Sequence, residues 1–85
     1  MSVVVVVPTI EPHGSDGFEL RVQSVDSQQV WWKWHETERN AYEDAVDLGV
    51  ATEQSFGSTL RRQLKKEVSI DEERLEQFGL KKTDS

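Results

Sequence analysis

Residues 18–35 alternate apolar and polar side chains with a period of two, interrupted by one polar turn, and no other feature restricts this chain's folding so tightly. In the first half Phe18, Leu20 and Val22 point one way while Glu19, Arg21 and Gln23 point the other. In the second half Val30, Trp32 and Trp34 share one side, and Trp31, Lys33 and His35 share the opposite one. Such alternation belongs to strands with one buried face. Residues 26–29 are polar and turn-like, so the two strands should form a hairpin with coincident apolar faces. Setting Val22 opposite Trp32 or Trp34 achieves that. A slip by one residue would bury Lys33 and His35, which argues for Trp32 and Trp34 in the core and Trp31 exposed beside Lys33 and His35.

The flanking segments extend this plan. Five valines at 3–7 are β-branched throughout and favour an extended strand, either internal or available for pairing with a second copy or a partner's sheet. Residues 11–17 (EPHGSDG) read as a loop. Thr37 is a suitable N-cap for a helix whose buried side carries Ala41, Tyr42, Ala45, Val46 and Leu48. Its solvent side carries Arg39, Asn40, Glu43, Asp44 and Asp47, and Gly49 closes it in a left-handed cap with Val50 or Ala51 as apolar contact. Phe56, Leu60, Leu64 and Val68 recur every four residues and predict a second helix over 58–68, with Arg61, Arg62, Lys65 and Lys66 opposite the stripe. A third helix should start at Asp71, stapled by Ile70 and Leu75, and stop at Gly79. Residues 81–85 read as a flexible tail. The expected architecture is α+β: a three-stranded antiparallel sheet packed by one amphipathic helix, then two shorter helices (βββααα), as a single domain over 1–80.

Composition narrows the functional classes. Eighty-five residues make one domain with a thin core. The net charge of −6 is uneven. Ten acids face three bases through residue 57, whereas residues 58–85 hold seven bases and six acids. An acidic body repels nucleic acid and anionic membranes and favours basic partners. The absence of cysteine rules out disulfides, thiolate catalysis and cysteine-based zinc sites. No apolar run approaches the length of a membrane span, and a soluble, cytoplasmic protein is expected.

No catalytic or metal constellation emerges. His13, Asp16, His35 and Glu36 are the only candidate metal ligands, and their spacing matches no ligand motif. The run from His13 to Asp16 has the residue types of a hydrolase triad, but four consecutive loop residues cannot converge on a substrate from fixed elements. Glu43 and Asp47 are i, i+4 neighbours on a solvent-facing helix side, where carboxylates are poor general acids. No Gly-rich phosphate loop follows a strand, and no cofactor is expected. The sequence thus predicts a non-enzymatic protein-interaction module acting as a stoichiometric inhibitor or adaptor, the class that includes phage-encoded inhibitors of host defence. Its candidate contact residues are Trp31, Lys33 and His35 on the strand, Glu43, Asp44 and Asp47 on the acidic helix face, and Arg61, Arg62, Lys65 and Lys66 on the basic one. A homodimer through the 3–7 strand is compatible with this reading. The alternative is a small DNA-binding regulator using the basic helix, suggested by Ala45, Gly49 and Val50 in the A-x-x-x-G-V pattern of a helix-turn-helix centre. Ser55 and Ser58 stand where a recognition helix would need apolar residues, which weighs against it.

Overall fold

The computed structural model describes residues 2–84; Met1 and Ser85, the ends of the expected domain and tail, lie outside it. Strands β1 (Val3–Pro12), β2 (Phe18–Ser24) and β3 (Gln29–His35) are followed by helix α1 (Glu38–Leu48). Next come β4 (Ala51–Phe56), β5 (Thr59–Leu64), β6 (Val68–Asp71), helix α2 (Glu72–Gln77) and β7 (Lys81–Asp84). A five-stranded antiparallel sheet has the order β6-β1-β2-β3-β7, and β4 and β5 form a separate two-stranded ribbon.

The expected three-stranded sheet with three helices is therefore incorrect. Residues 58–68 are not a basic helix. Thr59–Leu64 is β5, joined to β4 by a two-residue turn at Gly57 (φ 62°) and Ser58, with Phe56 opposite Thr59. A positive φ suits the tight hairpin turns that match strand twist. Residues 81–84, read as a tail, instead pair with β3, Trp31 opposite Lys82. The valine run is not an open edge: Val3 through Val6 pair with β6, and Val6 through Pro12 pair with β2.

The hairpin register is also the opposite of the expected one. Val22 faces Trp31, not Trp32 or Trp34. Side chains at alternate positions (Val6 and Pro8 on β1, Leu20 and Val22 on β2, Trp31 and His35 on β3) turn together toward the helices and are buried. The slip that would bury Lys33 and His35 is tolerated because α1 supplies a carboxylate to both. Asp44 Oδ2 lies 3.1 Å from Lys33 Nζ and 2.9 Å from His35 Nε2. Lys33 Nζ also donates to the carbonyl of Phe78 at 3.1 Å. The polar groups are thus mostly met: Lys33 also keeps 37 % of its side chain in solvent, and His35 Nδ1 alone of this set is buried with no partner among the described residues.

α1 forms as its caps dictate. Thr37 Oγ1 accepts a hydrogen bond from the Asn40 backbone N–H at 3.1 Å, and Gly49 (φ 99°) ends the helix, donating to the carbonyls of Ala45 and Val46. Val50 N–H also reaches the Ala45 carbonyl at 2.9 Å, and Val50 is fully buried, which gives the apolar contact that accompanies such caps. Ala41, Ala45 and Leu48 meet the sheet. Removing the cap hydroxyl by Thr37→Ala is expected to cost about 1 kcal/mol, with Thr37→Ser nearly neutral, as read by urea denaturation. Asp71 Oδ1 caps α2 by accepting from Glu73 N–H at 3.0 Å, and Leu75 behind it is fully buried. Arg74 ties the two helices together: Nε donates to the Leu48 carbonyl and Nη2 to that of Asp47, both at 3.1 Å. A cation at the last carbonyls of α1 also complements its dipole.

The core lies between the sheet and the helices: Val6, Leu20, Val22, Trp31, Leu48, Val50, Ile70, Leu75 and Leu80 are all nearly or completely inaccessible. No helix among the described residues is long and apolar enough to cross a membrane.

Candidate interaction surface

Because both helices pack on one side, alternation leaves the other face of the sheet without a helix over it, although Val30 on that face is buried. Trp32 and Trp34 project there, with Arg21 opposite Trp32 and Glu19 opposite Trp34 on the neighbouring strand. Trp34 is 43 % exposed and Trp32 half-buried. Neither indole is loose. Trp34 Nε1 donates to the carbonyl of Asp16 at 2.8 Å, which folds the ring against the β1–β2 turn. Trp32 Nε1 donates to Thr83 Oγ1 at 3.0 Å, and the Lys81 ammonium sits 5.3 Å from the Trp32 ring centroid.

A polar rim surrounds the pair. Arg21 reaches Glu19 (Nε to Oε1, 3.5 Å) and Glu11 (Nη1 to Oε2, 3.6 Å), while His13 Nδ1 lies 3.2 Å from Glu19 Oε2. Toward β6 the surface turns aliphatic: Val3 and Val7 are exposed on β1, as is Val25, whose N–H bonds to the Val5 carbonyl. Fixed aromatic groups with a hydrated rim are the usual anatomy of an interface hot spot.

The sequence-derived contact residues are scattered by the fold. Trp31 has no exposure and belongs to the core, with the Lys82 ammonium 5.8 Å from its ring centroid. Lys33, His35 and Asp44 are brought together, but as a strut between β3 and α1, with His35 only 8 % exposed. Glu43 is engaged by Arg39 (3.2 Å) and Arg62 (3.4 Å), and Arg62 also meets Glu53 at 2.8 Å. Asp47 remains exposed. Arg61, Lys65 and Lys66 are exposed along β5 and the turn after it, but not on a helix. Trp32 and Trp34, placed in the core by the sequence reading, are the residues it missed.

The signal that would have reversed the assignment lies on α1. Ala41, Asp44, Ala45 and Leu48 occupy positions i, i+3, i+4 and i+7, so a carboxylate sits on the sheet-facing stripe and calls for donors on the strand beneath it. Lys33 and His35 are those donors, and Trp31 shares their parity.

Among the described residues no three His, Cys, Asp or Glu side chains gather as a metal site. No protein-family model, no curated protein and no solved structure matches this chain.

Proposed function

We propose that this chain is a non-enzymatic protein-interaction module, a stoichiometric inhibitor or adaptor, whose recognition surface is the uncovered sheet face centred on Trp34 and Trp32. One observation carries the reading: Trp34 keeps 43 % of its surface exposed yet is held in place by its bond to the Asp16 carbonyl. An aromatic group that is already ordered loses little conformational entropy when a partner covers it. It also buries a large area with each contact. The valines at 3, 7 and 25 extend the apolar part of the surface, and the Glu11–Arg21–Glu19 cluster and Lys81 supply its rim. A cysteine-free chain suits the reducing cytoplasm, where this reading places it.

The DNA-binding alternative loses its support. The segment 58–68 that would supply the groove helix contains β5 and the start of β6, and Gly49 leads into β4 instead of a second helix. Arg62, one of its four cations, is engaged by Glu43 and Glu53.

Affinity capture from lysate with the wild-type chain and with Trp34→Ala tests the proposal. A protein retained in stoichiometric amount by the wild type should bind Trp34→Ala about 30-fold more weakly, the effect of a hot-spot loss near 2 kcal/mol. The variant should keep the wild-type circular dichroism. Equal retention by both chains sinks the proposal, as does a low-salt mobility shift of DNA with no protein captured.

A further inference from the structure

The two long sides of β1 are covered unequally. On one side β2 runs beside it from Val6 through Pro12, whereas on the other β6 covers only Val3 through Val6. Over 7–12 the β6 side of β1 is therefore an open edge, with no strand beside it among the described residues. Open edges invite pairing with other chains, and this one continues a run of five valines of which Val3 and Val7 are exposed.

Two hydrogen bonds fix which backbone groups that edge presents. Val25 N–H donates to the Val5 carbonyl, and Glu72 N–H donates to the carbonyl of Ser2, just before β1. Odd positions of β1 thus direct their backbone groups toward β2 and even positions toward β6, because the direction alternates along a strand. The open half of the edge then consists of Pro8, Ile10 and Pro12. Proline has no N–H to give, and within sheets it is confined to such edges. Ile10 N–H is the one donor that 7–12 offers on this side, and it meets no acceptor among the described residues.

We propose that Pro8 and Pro12 are guards that keep this edge from pairing with the same edge of a second copy. A two-fold axis at Ile10 would set that residue opposite its counterpart and Pro8 opposite the second copy's Pro12. In an antiparallel ladder each of the three facing pairs would exchange two hydrogen bonds. The prolines remove both bonds from the two outer pairs and leave only the Ile10 pair. Their placement follows the limits of the other cover. Val6 is the last residue that β6 reaches, Pro8 is the next position facing the same way, and Pro12 ends the strand. The proposal concerns the strand edge and holds whether or not the Trp34 face binds a partner.

Pro8→Val and Pro12→Thr, singly and together, test it; valine suits the buried position 8 and threonine the exposed position 12. Sedimentation velocity and amide hydrogen exchange are read on the same samples, with circular dichroism to show that the fold persists. In the wild type the Ile10 amide should exchange freely, while the amides of Thr9 and Glu11, which face β2, are protected. The double variant should self-associate as its concentration rises, and exchange at Ile10 should then slow by more than about tenfold. Each single variant restores half of the missing bonds and should associate more weakly, and these carry the test if the double variant loses its fold. Folded variants that stay as monomeric as the wild type overturn the proposal, as does association that leaves exchange at Ile10 unchanged. An Ile10 amide already protected in the wild-type monomer overturns it too, because the edge would then be closed.

Discussion

Trp31→Ala is expected to destabilise the protein by about 3–5 kcal/mol, the usual cost of truncating a fully buried indole. A domain of this size has only about 5–15 kcal/mol in total, so the substitution should remove a large share of its stability and lower the urea midpoint steeply. The expectation follows from position. Trp31 stands opposite Val22 on β2 and Lys82 on β7 and has no accessible surface. Together with Leu20, Leu48, Leu75 and Leu80 it fills the space beneath the helices. Its Nε1–H meets no acceptor among the described residues, so its contribution comes from apolar burial. Urea midpoints of Trp31→Ala and Trp34→Ala decide the point, because Trp34 lies on the open face and its removal should cost far less. If the two variants proved equally destabilised, the inward and outward assignment of β3 would be wrong.

Gly17→Ala should be the second severe substitution, at about 2–4 kcal/mol. Two causes add. Gly17 has φ +91°, a backbone region that L side chains rarely adopt. A β-carbon there would also lie 2.5 Å from Trp34 Nε1 and 2.6 Å from the His35 carbonyl oxygen. That oxygen belongs to the β3 backbone and cannot swing aside, so the indole must move and surrender its bond to Asp16. Gly14→Ala separates the two causes. Gly14 has φ +61°, but nothing lies within 4 Å of its would-be β-carbon. Its substitution should cost about 1 kcal/mol, the backbone term alone. The indole N–H resonance of Trp34 should shift in Gly17→Ala and stay in place in Gly14→Ala. Equal losses at both glycines would mean that contact with the indole plays no part.

The candidate surface was legible in kind but not in identity. An alternating strand carrying indoles at 31, 32 and 34 must expose at least one on a sheet covered on one side only. Which one depends on parity, and parity depends on the cost of burying Lys33 and His35. Judged from the hairpin alone that cost is prohibitive. With Asp44 delivered by α1 it falls, and burying Trp31 together with Val22 prevails. The second misreading has a different origin. Phe56, Leu60 and Leu64 recur every four residues, and four is two strand repeats as well as about one helical turn. The positions that distinguish the two periods, three and seven residues after Phe56, are Thr59 and Gln63. Neither supports a helical stripe, and Gly57 beside Ser58 marks the turn of a hairpin.

What the sequence determined by itself is local: the extended geometry of residues 18–35, the start of α1 at Thr37, its end at Gly49 and the Asp71 cap. Each depends on side chains bonding or packing within a few residues, so no distant partner is required. Only the tertiary structure decided that β6 and β7 are strands at all, since four residues such as Val68–Asp71 or Lys81–Asp84 carry no periodicity and gain their hydrogen bonds from β1 and β3. It also decided which face of β3 looks outward, because a carboxylate nine residues beyond His35 made burial of that histidine affordable.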